Sequence, residues 1–237
     1  HSLSPIMMNA VFETLKIPAV YLALEVDHPE EDLATLSKLG IQGLSVTIPH
    51  KESACRLAVS VDEPAEVMGA VNTLRLCGTH WEGRNTDWIG VVASLRGHLE
   101  QFAGKRALVI GAGGVARAVV YGLNREGAVV TVANRSIDRG EALARASGCD
   151  FLPLAELQRS KIRAHFEFDI IVQCTPVGLM NQGPSGIISE TLLRPGVVVL
   201  DTVYRPLWTP FLCGARAAGC IVVSGAEMLL HQGVAQL

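Results

Sequence analysis

Lys105–Leu123 reads KRALVIGAGGVARAVVYGL, and this stretch decides the fold. Arg106–Ile110 is a short continuous apolar run, of the kind buried on both faces of a parallel sheet. A glycine turn follows, fitting G-x-G-x-x-A through Gly111, Gly113 and Ala116, with Gly114 in addition. Gly111 permits the tight turn, Gly113 lets backbone approach a pyrophosphate, and Ala116 allows close helix–strand packing. Helix amides starting near Val115 then face the phosphates, aided by the helix dipole. The motif alone is weak, but a buried strand before it and a helix after it supply the context a dinucleotide site requires. Gly111, Ala112, Gly113, Gly114 and Val115 are therefore the candidate pyrophosphate cradle.

Outward from that turn the chain alternates strand and helix. Downstream, Ala128–Ala133, Phe168–Cys174 and Val197–Asp201 read as strands, and Asp138–Ala146 as a helix. Upstream, Val20–Val26, Gly43–Ile48 and Val71–Leu76 read as strands, with helices over Glu31–Leu39, Glu52–Val59 and Trp88–Phe102. A last helix begins at Gly225. Strands separated by helices indicate right-handed crossovers and a parallel sheet. The expected class is α/β with two domains: an N-terminal α/β substrate domain and a Rossmann-type doubly wound dinucleotide-binding domain. A junction near Asp87–Gly90 and a return near Gly225 give residues 1–87 plus 226–237 for the first and 88–225 for the second.

The 237 residues are 49% hydrophobic and 18% charged, enough for a sizeable core. Net charge is −3 with Lys and Arg scattered, which excludes a nucleic-acid surface built on a basic stripe. No apolar run approaches the ~20 residues that span a bilayer. With no charged-then-apolar leader, the chain reads as soluble and cytoplasmic. The cysteines at 55, 77, 149, 174, 213 and 220 lack CxxC spacing and read as buried free thiols. The histidines form no HxxxH or HExxH pattern, so no metal is expected. The sequence opens at His1 without an initiator methionine, and reads as a piece of something longer.

Cofactor choice is read at the end of the next strand, in VVTVANRSIDR. An acidic residue there suits the ribose hydroxyls of NAD; here stand Asn134 and Arg135, with Arg139 one turn on. Guanidinium groups suit a 2′-phosphate through paired hydrogen bonds, which favours NADP. Asp138 lies between the two arginines and opposes that preference. The plain alternative is that Asn134 caps the helix and both arginines are solvated.

Four polar clusters interrupt the apolar elements of the first half: Ser2-Leu3-Ser4-Pro5, Thr47 with Lys51, Asn72-Thr73, and Asn85-Thr86-Asp87. Each has a structural explanation taken singly. Ser4-Pro5 is a good N-cap with proline at the first helical position, and Asn85-Thr86-Asp87 can cap the helix from Trp88. Together they supply the hydroxyl, amide, ammonium and carboxylate groups that hold a small polyol.

The motifs HSLSP, SVTIPHK, GAVNT, NTDWIG, GAGGVA, NRS, DTVYRPLWTP and GAEMLLHQG stand in the order and approximate spacing of shikimate dehydrogenases, from His1 to Gln236. SVTIPHKE carries Ser45 where many single-function members have asparagine. In this it looks most like the dehydrogenase part of bifunctional dehydroquinate dehydratase–shikimate dehydrogenases, which implies a dehydratase domain upstream. The resemblance implies NADPH-dependent reduction of 3-dehydroshikimate to shikimate, a step of aromatic amino acid biosynthesis. Residue by residue, it implies Lys51 and Asp87 as the catalytic pair. Ser2, Ser4, Thr47, Asn72, Thr86, Tyr204 and Gln232 are implied to bind substrate. Gly111 through Val115, Asn134, Arg135, Arg139 and Gly225 are implied to bind the cofactor.

Two departures accompany it: Met8 stands where many members have histidine, and QCTPVGLM replaces the commoner asparagine-alanine-threonine-serine run. The rival readings are a quinate/shikimate dehydrogenase using NAD, a methylenetetrahydrofolate dehydrogenase, and a non-catalytic quinate- or shikimate-sensing domain. The paired serines and NTD oppose the second, and Lys51 with Asp87 opposes the third. Monomer and homodimer both remain open.

Overall fold

The structure, a computed structural model, describes residues 2–158, 167–181 and 187–237. His1 of the HSLSP motif lies outside them. Two compact units divide the chain, His1–Thr86 with Leu229–Leu237, and Asp87–Met228.

The first unit contains α1 (Ser4–Thr14), α2 (Pro29–Lys38), β1 (Gly43–Ser45), α3 (Lys51–Leu57), β2 (Ser60–Val61), α4 (Glu63–Met68), β3 (Thr73–Cys77) and β4 (His80–Arg84). Its sheet has the order β1-β3-β4-β2. The expectation of a parallel sheet fails here. β1 and β4 both run antiparallel to β3, and only β2 pairs parallel with β4. The cause is local: Cys77 pairs with His80, so two residues close a hairpin, with Gly78 at φ +64°. Ala54, Ala65, Val71, Leu74 and Trp81 form this unit's core against Leu33, Leu36, Ile41 and Leu44. Trp81 Nε1 donates to Leu33 O at 3.0 Å and ties β4 to α2. Asp62 accepts from Ala65 N at 3.0 Å and caps α4.

Val20–Val26 is not a strand. The Asn9 side chain takes both backbone groups of Tyr21, accepting from its N–H at 2.8 Å and donating to its C=O at 2.9 Å. An amide on α1 thus stands where a strand partner was expected, and Val20 and Leu22 are 70% and 66% exposed. The strand expected over Gly43–Ile48 stops at Ser45, because Thr47–His50 turns, with His50 N donating to Thr47 O at 2.9 Å.

The second unit contains α5 (Asp87–Arg96), β5 (Arg106–Ile110), α6 (Gly114–Arg125), β6 (Val129–Asn134), α7 (Ile137–Ser147), β7 (Asp150–Pro153), α8 (Leu154–Leu157), β8 (Ile170–Gln173), β9 (Val198–Asp201), α9 (Pro210–Ala217) and β10 (Ile221–Ser224). α10 (Gly225–Val234) starts in it and ends in the first unit. The sheet is wholly parallel, in the order β10-β9-β8-β5-β6-β7. Alternate residues of its strands feed two cores, as a pleated strand covered on both faces requires. Ala107, Val109, Ile170, Val172, Val198 and Leu200 face one core, and Leu108, Ile110, Ile171 and Val199 the other. On α6, Ala116, Val119, Val120 and Leu123 are buried at i, i+3, i+4 and i+7, the spacing of one helix face. α5 stops at Arg96 rather than running to Phe102, with Gly97 following.

The expected burial of the cysteines holds only in part. All six are free, but Cys213 is exposed on α9, Cys220 is buried, and the other four are half-buried. Among the described residues no helix is long and apolar enough to cross a membrane.

Candidate active site

Antiparallel pairing, not parallel strand ends, gathers the polar groups of the first unit. Ser45 pairs with Thr73 across β1 and β3, and Thr73 with Arg84 across β3 and β4. Ser45, Asn72 and Asn85-Thr86 therefore share one end of the sheet. Val46 N donates to Asn72 O at 2.7 Å, and Val71 N to Lys51 O at 2.9 Å, fixing the first residue of α3 against the entry to β3.

Asn72 is the hub, and 1% exposed. Its Nδ2 donates to Thr86 Oγ1 at 3.0 Å and to Gln232 Oε1 at 3.3 Å. Its Oδ1 accepts from Thr86 N and from Thr73 Oγ1, each at 2.8 Å. Thr86 Oγ1 reaches Gln232 O at 3.1 Å, and Asn85 Nδ2 donates to Ala70 O at 2.8 Å. Buried amides with this many partners hold one rotamer.

Lys51 opens α3 with only 8% of its surface exposed, so it is not a solvated surface charge. Asp87, next in chain to Thr86, opens α5 and is 4% exposed. Lysine and aspartate are seldom buried unless paired. Thr47 is exposed on the turn before α3, and Ser2 and Ser4 stand at the start of α1. Ser4 is not the N-cap expected of it: that place is Leu3's, and Ser2 Oγ accepts from Ser4 N at 3.1 Å. One turn on, Met7 lies against Gly233, which brings α1 beside α10.

The second unit carries the other candidates. Gly111 has φ +124°, where a Cβ would meet the Cys174 carbonyl carbon at 3.3 Å. Gly113 differs: its backbone is extended and nothing lies within 4 Å of where its Cβ would be. A turn that is tight at the first glycine and open at the second, ahead of a twelve-residue helix, fits a pyrophosphate. Gly111 N donates to Ala133 O at 2.8 Å, so this turn and the end of β6 are neighbours. Asn134 does not cap α7; its Nδ2 donates to Ser136 O at 2.9 Å and shapes the turn. Arg135 and Arg139 are exposed beside it. Ala112, Arg117, Arg139 and Leu143 line a cleft of about 160 Å³. Arg117 was not singled out from sequence, although its place in the first turn of α6, one residue after Ala116, was a usable signal.

Tyr204 is half-buried in the segment after β9. Gly225 packs so closely that a Cβ would come within 2.7 Å of the Asp201 carbonyl oxygen. A second cluster missed from sequence holds this edge of the sheet. Asp201 is fully buried and accepts from Thr209 Oγ1 at 2.6 Å, Val203 N at 3.0 Å and Gln173 Nε2 at 3.3 Å. Burial outweighs those bonds and pushes its carboxyl up to about 6. Gln173 Nε2 also reaches Thr175 O at 2.9 Å and Val177 O at 3.1 Å, and its Oε1 accepts from Thr175 N. Glutamine in QCTPVGLM thus pins its own loop. Burial also holds the Cys174 thiol well above its ordinary value. Among the described residues no three His, Cys, Asp or Glu side chains gather as a metal site.

A glycine-turn parallel sheet joined to a separate unit with a buried lysine and a hydrogen-bonded amide–hydroxyl network defines the two-unit nicotinamide-dependent dehydrogenase class. Residues 1–74 match the family described as "Shikimate dehydrogenase substrate binding domain", and residues 94–179 the one described as "Shikimate / quinate 5-dehydrogenase". The chain is 54% identical, over 100% of its length and 82% of the relative's, to "Shikimate dehydrogenase (NADP(+))" of Syntrophobacter fumaroxidans. It superposes with TM-score 0.91 on the crystal structure of shikimate dehydrogenase from Aquifex aeolicus, at 34% identity, covering 100% of this chain and 86% of that one. The shikimate 5-dehydrogenase of Thermus thermophilus, in complex with NADP(H) and shikimate, superposes with TM-score 0.85 at 34% identity, covering 100% and 87%. The chain belongs to the shikimate dehydrogenase family.

Proposed function

We propose that this chain is an NADP-dependent shikimate dehydrogenase that interconverts 3-dehydroshikimate and shikimate. The observation that carries the reading is the burial of Lys51 at the head of α3, beside a buried Asn72–Thr86–Gln232 network, in a chain 54% identical to a relative of that name. Residues 1–87 with 226–237 form the substrate domain, and 88–225 the cofactor domain.

Gly111 through Val115 would hold the pyrophosphate, Asn134, Arg135 and Arg139 the adenosine phosphate, and Gly225 the nicotinamide end. The cofactor, when bound, would supply the hydride as NADPH or accept it as NADP+. In the reducing direction Lys51 donates a proton to the carbonyl oxygen, which becomes the new hydroxyl; in the oxidising direction the lysine amine takes it back. Asp87 accepts a hydrogen bond from that hydroxyl and orients Lys51. Asn72, Thr86 and Gln232 are already fixed by one another, so binding substrate costs little ordering. Thr47, Ser2, Ser4 and Tyr204 complete the contacts to hydroxyls and carboxylate.

The test is absorbance at 340 nm with shikimate or quinate against NADP or NAD. Growth of the signal with shikimate and NADP is expected; silence overturns the reading, and faster turnover with quinate or NAD replaces it with the quinate/shikimate alternative. The finer likeness to bifunctional enzymes rests on Ser45, and coding sequence for a dehydroquinate dehydratase upstream of His1 is its test. Monomer or homodimer is settled by light scattering. A cytoplasmic location belongs to the same reading.

A further inference from the structure

Ser45 is not placed to act on its own. Its Oγ donates to Gln236 Oε1 at 2.8 Å. The same amide donates through Nε2 to Thr73 Oγ1 at 3.0 Å and to Asn72 O at 3.4 Å. Ser45 and Thr73 are direct partners across β1 and β3, so their hydroxyls hold one glutamine amide at both its atoms, Ser45 donating and Thr73 accepting. Thr73 Oγ1 donates in turn to Asn72 Oδ1 at 2.8 Å, and Asn72 Nδ2 reaches Gln232 Oε1 at 3.3 Å. Gln232 lies on α10, and Gln236 two residues past its end at Val234, where Gln236 N donates to Gly233 O at 3.1 Å. The circuit closes on itself: Gln236 to Thr73, Thr73 to Asn72, Asn72 to Gln232, and the chain from Gln232 back to Gln236.

We infer that Ser45, Thr73 and Gln236 are positioning residues for the proposed substrate ligands Asn72 and Gln232, an inference that rests on the substrate reading above. Thr73 can donate to only one acceptor. With Gln236 Nε2 donating to it, its proton is directed at Asn72 Oδ1. That bond leaves Asn72 Nδ2 aimed at Thr86 and Gln232. Without Gln236, Thr73 gains a second acceptor choice in water, and the chain end after α10 loses its hold on the sheet. Ser45 supplies the second point of that hold, because a glutamine amide held at one atom only can rotate.

The experiment is steady-state kinetics of Ser45→Ala, Gln236→Ala, Gln232→Ala and Ser45→Ala/Gln232→Ala with shikimate and NADP. For Ser45→Ala and Gln236→Ala, KM for shikimate should rise about three- to tenfold, the worth of one hydrogen bond. Their kcat and KM for NADP should stay within about twofold. Ser45→Thr restores the hydroxyl on a strand that accepts β-branched residues, and should restore KM. Added to Gln232→Ala, Ser45→Ala should cost less than it does alone, since part of its effect runs through Gln232. An unchanged KM for shikimate, equal shifts in both KM values, or full additivity overturns the inference. If wild type itself fails to turn over shikimate, the substrate reading falls instead.

Discussion

Two buried side chains make opposite demands on the molecule. Lys51 is held at the head of α3 with 8% exposure, and its proposed task is to exchange a proton with the substrate oxygen. Lys51→Met keeps most of the packing and removes the proton. General acid–base catalysis is worth about 10²–10⁴-fold, so kcat should fall by that much. KM for shikimate should move by less than about threefold; a change confined to KM would make Lys51 a binding group only. Asp201, by contrast, carries no proposed chemistry and destabilises where it stands. Its carboxyl is raised from 3.8 to about 6, so the folded chain holds a proton that the unfolded chain releases. The sign follows: this stability is fully present below pH 3.8 and is lost as pH rises through about 6. Two pKa units correspond to roughly 3 kcal/mol. Asp201→Asn cannot titrate, so its stability relative to wild type should rise between pH 4 and pH 7 in urea melts. A relative fall over that range would mean that the bonds from Thr209, Val203 and Gln173 outweigh burial.

At the scale of elements, the two glycines of one turn should fail in different ways. Gly111 sits at φ +124°, with the Cys174 backbone 3.3 Å from where a Cβ would lie. Gly111→Ala should therefore cost about 1–3 kcal/mol of stability whether or not cofactor is present. Gly113 has extended backbone and open space at its Cβ position, so Gly113→Ala should leave the melting temperature unchanged or slightly higher. Its added methyl enters the space a pyrophosphate needs, and KM for NADP should rise at least about tenfold, the equivalent of ~1.4 kcal/mol. If KM for NADP is unmoved in Gly113→Ala, the turn is structural. This turn was legible because its meaning is local: backbone sterics at consecutive residues. The strands β5, β8 and β9 were legible for a related reason, since burial on both faces leaves a continuous apolar run. Val20–Val26 misled because its apolar pattern suits a strand, whereas the pairing hydrogen bonds go to Asn9, a choice made by tertiary structure. The β3–β4 hairpin was written in Gly78-Thr79 and passed over. Reading it would have explained why Asn72 and Thr86, fourteen residues apart, touch. Gln236 and Gln173 lay beyond reach, because a glutamine's partners depend on strand registers that no short motif encodes.

Over the whole molecule, stability is divided. Each unit has its own apolar core, the first around Val71, Leu74 and Trp81, the second on both faces of the six-stranded sheet. The proposed cofactor residues 111–139 all belong to the second unit, and the Asn72–Thr86–Gln232 network to the first. A ligand stabilises what it binds by RT ln(1 + [L]/Kd), about 2.7 kcal/mol at a hundred times Kd. Amide exchange can read that gain segment by segment, because local and sub-global openings have separate free energies. In NADP at a hundred times Kd, the slowest amides of β5, α6 and β6 should therefore slow by up to about 100-fold. Those of β3 and β4 should change by less than about threefold until shikimate is added. Equal slowing in both sheets with NADP alone would show that the two cores open as one, and that the cofactor's binding energy reaches Asn72 and Gln232 before substrate does.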